Sequence, residues 1–319
     1  MNSPIMCVGM PRSGTTWIAK IIDSHPQIYY NHEPDSVYSG MLNGINLLAE
    51  HVSLPQKEAI KLLVSGLPYT HEKCIGKRPF FKKDYRPYIA EKYFQLSVLM
   101  TKVFNFNLLP SQSLYKDRQD VRLMFKSIES TGRVKAFLEA VDDLKITLII
   151  RSVFGHINSV INGINKGKFT VNEMPLINDD ELAQCYEVHG SKNIHDLAMV
   201  LQYTPIERLA YRWLVFNEKA LYEAEAYAER VYVLSYDKLC DQPEQGAKQL
   251  FEFFELDFAP QSRAFIHSST QKQNNAYYSL SKNPQKAKAS WQKRFSNEQI
   301  ELINNVIRGS KAEQVMQGD

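Results

Sequence analysis

The loop from Gly9 to Gly14 has the residue types needed to bind an anionic group. Its two glycines have the spacing of a Walker-type phosphate loop, and Arg12 is the cation within it. Thr15, however, stands where such loops carry the lysine that contacts the β- and γ-phosphates of a nucleoside triphosphate. The positive charge has therefore moved from the helix start to the loop tip. This arrangement suits a 5′ anion that is shorter than a triphosphate.

A strand and a helix are predicted on either side of this loop. Residues 5–8 are apolar and predict a buried strand, while the apolar spacing of residues 15–24 predicts a helix. Where a strand leads through such a loop into a helix, backbone N–H groups converge and the helix dipole favours an anion. We therefore expect this part of the chain to hold the anionic end of a ligand.

Arg151 and Ser159 form a second candidate anion site. Arg151 directly follows residues 146–150, an apolar run typical of a central parallel strand. Ligands of open α/β sheets bind at the carboxyl ends of such strands. If the following residues are helical, Ser159 lies on a face that can point back at the same ligand. Arginine can hold a phosphate with two parallel hydrogen bonds, and a serine hydroxyl adds a neutral one.

The two motifs resemble those of sulfotransferases that use 3′-phosphoadenosine 5′-phosphosulfate (PAPS). Residues 11–17, PRSGTTW, resemble the loop that binds the 5′-phosphosulfate, and Arg151 with Ser159 resembles the 3′-phosphate site. The resemblance runs in order from residue 5 to about 305, is weak in the middle third, and departs from the family pattern at Ser152 and Phe154. It is closer to bacterial and carbohydrate-type members without a membrane anchor than to cytosolic aryl and steroid enzymes.

This resemblance implies an α/β fold, in which a P-loop-type parallel β-sheet has helices on both faces. Helical insertions at residues 35–120 and 164–204 would form the acceptor pocket. Aromatic residues in these segments could hold a flat or apolar acceptor, or could belong to the core. The implied activity is transfer of the sulfuryl group from PAPS to a hydroxyl or amine of a small molecule, which leaves 3′,5′-adenosine bisphosphate (PAP).

The resemblance also implies which residues bind the co-substrate. Trp17 matches the aromatic residue that stacks on the adenine, and Tyr236 matches a residue that lines the adenine pocket. A cation near the C-terminus would be Lys282, with Lys286 and Lys288 as alternatives. The full set of co-substrate residues is Arg12, Ser13, Gly14, Thr15, Thr16, Trp17, Arg151, Ser159, Tyr236 and Lys282.

The catalytic residues are expected to be Glu33, Arg12 and Lys126. The histidine of aryl and steroid relatives is missing from Lys126-Ser-Ile, whereas Glu33 matches the glutamate of carbohydrate-type and bacterial relatives. Glu33 would act as general base, and the two cations would stabilise the leaving group. His32 and Asp35 are alternatives for the base, and Glu33 could instead pair with Arg12 or cap a turn.

Two other functions remain open at this point. A P-loop kinase acting on a small molecule would require a lysine at position 15, where the chain has threonine. A non-catalytic protein that binds PAP or PAPS would keep both phosphate sites without turnover. Loss of turnover with retained nucleotide binding in a Glu33 variant would distinguish an enzyme from such a protein.

Composition sets further limits. The chain has 319 residues, of which 44% are hydrophobic, and we expect a single domain over residues 1–319. The net charge of +3 gives no bulk argument for nucleic-acid or stable membrane binding. Four scattered cysteines and the absence of a signal peptide predict reduced thiols in the cytoplasm. The histidines lack ligand spacing, so no metal is expected. The sequence allows a homodimer but does not predict one.

Overall fold

The computed structural model describes residues 3–49, 51–68, 70–104, 109, 111–115, 117–167, 179–188, 195–271 and 288–317. Five parallel strands form one sheet in the order β2-β3-β1-β4-β5. They are β1 (Ile5–Val8), β2 (Ile28–His32), β3 (Arg122–Ser127), β4 (Lys145–Ile150) and β5 (Val231–Ser235).

Helices connect the strands and follow the last one. In chain order, the α-helices of the described residues are α1 (Thr15–Asp23), α2 (Pro34–Val37), α3 (Leu54–Ser65), α4 (Tyr88–Phe104), α5 (Val134–Ala140), α6 (Val153–Asn165), α7 (Asp179–Glu187), α8 (Leu197–Val200), α9 (Pro205–Glu225), α10 (Tyr236–Asp241), α11 (Pro243–Phe253), α12 (Pro260–Gln271), α13 (Asn297–Ile307) and α14 (Lys311–Gln317).

The sheet is buried on both faces. Along β1, Met6 and Val8 point into one apolar core, while Ile5 and Cys7 point into the other. This alternation is the two-residue period of a strand. Helix α9 supplies Trp213 to the first core, and helices α1 and α11 pack in the second. The predicted α/β fold, a parallel sheet between two layers of helices, is confirmed.

The carboxyl ends of all five strands meet at one edge of the sheet. The register pairs Val8 with Ser127, His32 with Lys126, and Ile150 with Ser235. The loop after β1, Glu33 after β2, Arg151 after β4 and Tyr236 after β5 therefore begin at the same level. The topology alone brings together residues that are more than 200 positions apart in the chain.

One predicted helix is absent from the structure. The sequence predicts two helices over residues 37–66 with a break near Leu54 and Pro55, but only the second, α3, is a full helix. The first is reduced to one 3₁₀ turn at Ser39–Leu42. Gly44 adopts a left-handed φ of 78°, and the Asn46 side chain accepts a hydrogen bond from the backbone of Leu48 at 2.9 Å. Such local bonds compete with the helical ladder.

A buried ion cluster fixes the end of α1. Asp23 Oδ2 accepts a hydrogen bond from Lys20 Nζ at 2.7 Å, and its Oδ1 accepts one from Lys83 Nζ at 2.9 Å. All three side chains are almost fully buried. Burial raises the pKa of Asp23, but the two lysines outweigh it and the net pKa is lowered. Burial also lowers the pKa of Lys83 to about 8. The cluster attaches the segment before α4 to the core.

We expect Asp23→Asn to lower the free energy of unfolding by about 3–5 kcal/mol, because it leaves buried lysine charge without its carboxylate. Urea unfolding followed by circular dichroism measures this loss. The matched control is Asp120→Asn, because Asp120 forms an exposed ion pair with Arg118 and its loss should leave the midpoint nearly unchanged. Equal effects of the two substitutions would show that the buried cluster does not stabilise the fold.

Candidate active site

The loop after β1 closes tightly onto the start of α1. The backbone N–H of Ser13 donates to the carbonyl of Met10 at 3.1 Å, and that of Trp17 donates to Gly14 at 3.0 Å. Gly14 has a φ of 86°, and a Cβ atom there would lie 2.2 Å from the ring of Tyr236. Only glycine fits this position. Arg12 also has a positive φ, 74°, which is uncommon for a side chain with a Cβ and is often found at functional sites.

The two predicted anion sites form one cluster. Arg12 Nε donates a hydrogen bond to Ser159 Oγ at 3.1 Å, and Arg151 Nη1 donates to the carbonyl oxygen of Arg12 at 2.9 Å. The Arg151 guanidinium also lies 5.0 Å from the centroid of the Tyr236 ring. Two arginines and a serine thus converge beside the amino terminus of α1, where an anion is favoured.

Burial and the charge of this cluster both lower the pKa of a neighbouring histidine. His156 is buried in α6, between Arg151 and Ser159 in the sequence. Burial lowers its pKa to about 3, and the charges of Arg212, Arg151 and Arg12 act in the same direction. His156 is therefore neutral at physiological pH. The positive charge beside the loop therefore comes from the arginines and not from His156.

The other predicted co-substrate residues lie next to the loop. Ser13 and Thr15 are buried, and Thr16 is half-buried. Trp17 is buried and donates from Nε1 to Ser269 Oγ at 3.0 Å. Its ring meets that of Tyr236 edge to face, with centroids 6.1 Å apart.

The backbone of Arg151 is held by two residues that the sequence analysis did not identify. Trp213 Nε1 donates to the Arg151 carbonyl at 3.0 Å, and the Asp237 carboxylate accepts from the backbone N–H of Ser152 at 2.7 Å. Gly155 leaves room for the guanidinium, because a Cβ atom there would lie 2.8 Å from Arg151 Nε. The sequence gives no sign that Trp213 of α9 and Asp237 of α10 contact the backbone at residues 151–152, so only the folded geometry shows these contacts.

Glu33 and Lys126 form an ion pair at the ends of β2 and β3. The backbone N–H of Glu33 also donates to the Lys126 carbonyl at 2.9 Å. The Lys126 side chain is 2% exposed, whereas that of Glu33 is 23% exposed, so only the carboxylate is open to solvent. Burial raises the pKa of Glu33, but Lys126 and His32 together outweigh it and the net pKa is lowered. Glu33 has a φ of 49°, again left-handed.

The two alternatives for the base have different surroundings. His32 Nδ1 lies 2.6 Å from the hydroxyl of Tyr30, and its Nε2 lies 3.7 Å from Glu33 Oε1. Burial and the charge of Lys126 lower the pKa of His32 to about 4, so its ring is neutral. Asp35 is buried and accepts a hydrogen bond from Ser130 Oγ at 2.7 Å. Burial raises the pKa of Asp35. Its contacts tie α2 to the end of β3, a structural role.

Lys77 is a further cation near the Glu33–Lys126 pair, in addition to Arg12, and the sequence did not indicate it. Burial lowers its pKa, followed by the charges of Lys126 and Arg12, while Glu33 raises it. Gly76 lets the chain approach so closely, because a Cβ atom there would lie 3.0 Å from the Tyr30 ring. The only sequence signal is one glycine within a polar segment, which is too weak to assign a role.

The C-terminal cation is only partly described. Lys282 and Lys286 lie outside the described residues, as do Phe106 and Phe169 among the aromatics of the acceptor segments. Lys288 forms an ion pair with Asp241 at 2.6 Å. Over the described ranges, no group of three or more histidine, cysteine or acidic side chains is arranged to hold a metal ion. No helix in the same part of the chain is long and apolar enough to cross a membrane.

Comparison with known proteins identifies the family. A model of the sulfotransferase family matches residues 4–260. No curated protein matches the chain. Among solved structures, sulfotransferase STF9 from Mycobacterium avium is 13% identical, with 92% of this chain and 77% of that chain covered and a TM-score of 0.44.

Two further structures are similar at the same low level. A sulfotransferase from Alicyclobacillus acidocaldarius is 13% identical, with 96% of each chain covered and a TM-score of 0.40. Mouse sulfotransferase SULT7A1, in complex with PAP, is 12% identical, with 99% of this chain and 88% of that chain covered and a TM-score of 0.45. Because all three TM-scores are below 0.5, the assignment rests on the family match, which spans most of the chain. The chain belongs to the sulfotransferase family.

Proposed function

We propose that this sulfotransferase moves the sulfuryl group of PAPS to a hydroxyl or amine of a small-molecule acceptor. The observation that carries the proposal is the convergence of Arg12, Ser159 and Arg151 at the sheet edge that also holds the Glu33–Lys126 pair. A ligand with two anionic ends fits the first three residues. A group that gives up a proton during transfer fits the Glu33–Lys126 pair.

The co-substrate would bind across the loop after β1. Its 5′-phosphosulfate would lie at the backbone N–H groups of residues 12–16, at the amino terminus of α1. Arg151 and Ser159 would hold the 3′-phosphate, and Trp17 and Tyr236 would border the adenine. Lys282 stays a prediction for a further cation at the 3′-phosphate.

The transfer itself would be an in-line displacement at sulfur. Glu33 Oε takes the proton of the acceptor hydroxyl as the acceptor oxygen forms its bond to sulfur. The bond between sulfur and the oxygen of the 5′-phosphate breaks, and its electron pair stays on that oxygen. Arg12 and Lys126 would stabilise the charge that develops there. Lys126 would then divide its charge between Glu33 and the leaving oxygen, so that Glu33 would be less stabilised as a carboxylate and would be a better base.

The acceptor would enter from the β2 side, through the segments at residues 35–120 and 164–204. A cavity beside β2 is lined by Tyr30 and Asn31, which directly precede His32 and Glu33. Phe80 and Phe94 are among its aromatic walls. The aromatic walls support a flat acceptor group, while Lys20, Asp23 and Lys83 of the buried ion cluster line the inner part of the same cavity. Tyr85 also lines the cavity and donates to the Ile28 carbonyl at 3.2 Å, so it contributes to the core as well.

Calorimetry in EDTA tests the co-substrate. PAP should bind much more tightly than adenosine 5′-monophosphate, which differs from it only by the 3′-phosphate, and should do so without magnesium. ATP should bind weakly with or without magnesium. Magnesium-dependent ATP binding that exceeds PAP binding would support a kinase instead. Tight PAP binding with no consumption of PAPS across a panel of phenols, alcohols and amines would support a non-catalytic binding protein.

The pH dependence of the reaction tests the Glu33–Lys126 pair. Because the pKa of Glu33 is lowered below its ordinary value of 4.5, kcat/KM should fall only as the pH drops below that value. Lys126→Met removes the charge that lowers the pKa of Glu33, while burial continues to raise it. The fall of kcat/KM on the acid side, the acid limb, should therefore move to higher pH. The control Lys135→Met, on α5, should leave the limb in place. An unchanged limb in Lys126→Met would show that the lysine does not tune the base.

A further inference from the structure

Helix α4 buries two polar residues and exposes most of its large apolar ones. Its most buried described side chains are Ser97, Val98 and Thr101, and the Thr101 hydroxyl donates to the carbonyl of Ser97 at 2.7 Å. Seven large apolar side chains on the opposite side are between 54% and 82% exposed. This α4 apolar face consists of Tyr88, Ile89, Tyr93, Leu96, Leu99, Val103 and Phe104. A surface helix normally shows the reverse pattern.

The spacing along this face is that of a helix–helix seam. Ile89, Tyr93, Leu96, Met100 and Val103 follow one another at intervals of four, three, four and three residues. Apolar residues repeated at 4-3 intervals form the line along which two helices pack, with side chains of one helix inserted between those of the other. The face therefore fits another α-helix rather than a strand or a small ligand.

The size of the face fits a stable protein interface. With about 200 Å² for a fully exposed large side chain, seven residues at these exposures present on the order of 900 Å². The largest apolar patch of a typical monomer is about 300–600 Å². A standard interface buries about 800 Å² on each partner. The α4 apolar face alone supplies an area of that size.

The sequence of the face is complementary to its own reverse. If two copies of α4 lie antiparallel about a two-fold axis at Leu96, each Leu96 meets the other. Tyr93 then faces Leu99 of the second copy, and Ile89 faces Val103. Every one of these pairs is apolar. Glu91, the acidic residue of the helix, lies on the opposite side and forms an ion pair with Arg86 at 3.4 Å. Lys92 lies within the exposed face, with its Nζ 5.4 Å from the centroid of the Tyr88 ring, and would meet Met100 of the second copy at the flank of the seam.

We propose that the α4 apolar face is the interface of a homodimer, in which α4 of one copy packs antiparallel against α4 of the second. The dimer would be isologous, since the same patch serves on both copies. The interface lies outside the Arg12–Arg151 and Glu33–Lys126 clusters. It does not depend on the proposed co-substrate or base.

Sedimentation equilibrium on the full chain tests this proposal. The wild type should be a dimer at micromolar concentration, and Leu96→Glu should be a monomer, because it places two carboxylates at the two-fold axis. The matched control is Leu54→Glu, since Leu54 is an exposed leucine at the start of α3 and is 80% exposed. This control should remain a dimer. Leu96→Ser serves if the glutamate variant fails to fold, and should weaken the dimer at least tenfold.

Cysteine crosslinking tests the orientation of the two helices. The four native cysteines are all buried, so their background is low. A chain that carries both Ile89→Cys and Val103→Cys should form a disulfide crosslink between two copies, whereas a chain that carries Ile89→Cys alone should not. A wild-type monomer, or a dimer that survives Leu96→Glu, would overturn the proposal. So would crosslinking through Ile89→Cys alone, or a monomer that binds phosphatidylcholine–phosphatidylglycerol vesicles through Leu96.

Discussion

Replacing Glu33 by glutamine is expected to lower kcat by on the order of a hundred- to ten-thousand-fold, the usual effect of removing a general base. The amide has nearly the same shape but cannot take the proton of the acceptor. Glu33 is suited to the role because its carboxylate is 23% exposed at the end of β2, while its partner Lys126 is buried. PAP affinity should stay within about twofold, since the side chain of Glu33 pairs with Lys126, whereas the phosphate cluster is built from Arg12, Ser159 and Arg151.

Two matched variants separate Glu33 from its neighbours. His32→Gln keeps a polar group beside Glu33 but removes the ring that approaches it at 3.7 Å, and should cost much less activity. Glu139→Gln changes a partly exposed carboxylate on α5 and should have no effect on turnover. If Glu33→Gln retains wild-type kcat while His32→Gln loses it, the base is His32. Steady-state assays with PAPS and one accepted substrate decide between them.

The position of the two candidate anion sites in the fold could be predicted from the sequence because each signal is local. The loop of residues 9–14 and the strand before Arg151 each carry their signal within about ten residues. The parallel topology then brings both to the same edge of the sheet, where open α/β sheets bind their ligands. Glu33 and Lys126 were predictable for the same reason, since each follows a recognisable strand.

The remaining features depend on long-range packing that leaves little local signal. Lys77 approaches Glu33 only because Gly76 lets an irregular segment pack against β2. Trp213 reads as a core residue of α9, yet its indole N–H holds the Arg151 carbonyl. The helix predicted before Leu54 is missing, because the left-handed backbone of Gly44 and the hydrogen bond accepted by the Asn46 side chain outweigh a weak apolar pattern. The exposed side of α4 could not be identified before its packing was known.

Arg151→Ala is expected to weaken PAP binding by roughly a hundredfold or more, because each hydrogen bond to a charged group contributes about 1.5–3 kcal/mol and the guanidinium can form two with the 3′-phosphate. Binding of adenosine 5′-monophosphate should change by less than about threefold, since that ligand lacks the 3′-phosphate. Calorimetry with both nucleotides on both proteins gives the four affinities of a cycle. Arg151→Lys should recover only part of the loss, because an ammonium cannot form the parallel pair.

Two further variants show whether the effect belongs to the position of the guanidinium. Gly155→Ala keeps Arg151 but places a Cβ 2.8 Å from its Nε, so it should displace the group and weaken PAP binding by a smaller factor. Arg212→Ala is the control for charge. Arg212 pairs with Glu181 at 3.0 Å and its charge also lowers the pKa of His156, but it lies on α9 and not at the carboxyl end of β4. It should leave the ratio of the two affinities intact. An equal loss for both nucleotides in Arg151→Ala would assign Arg151 to shaping the loop through the Arg12 carbonyl rather than to reading the 3′-phosphate.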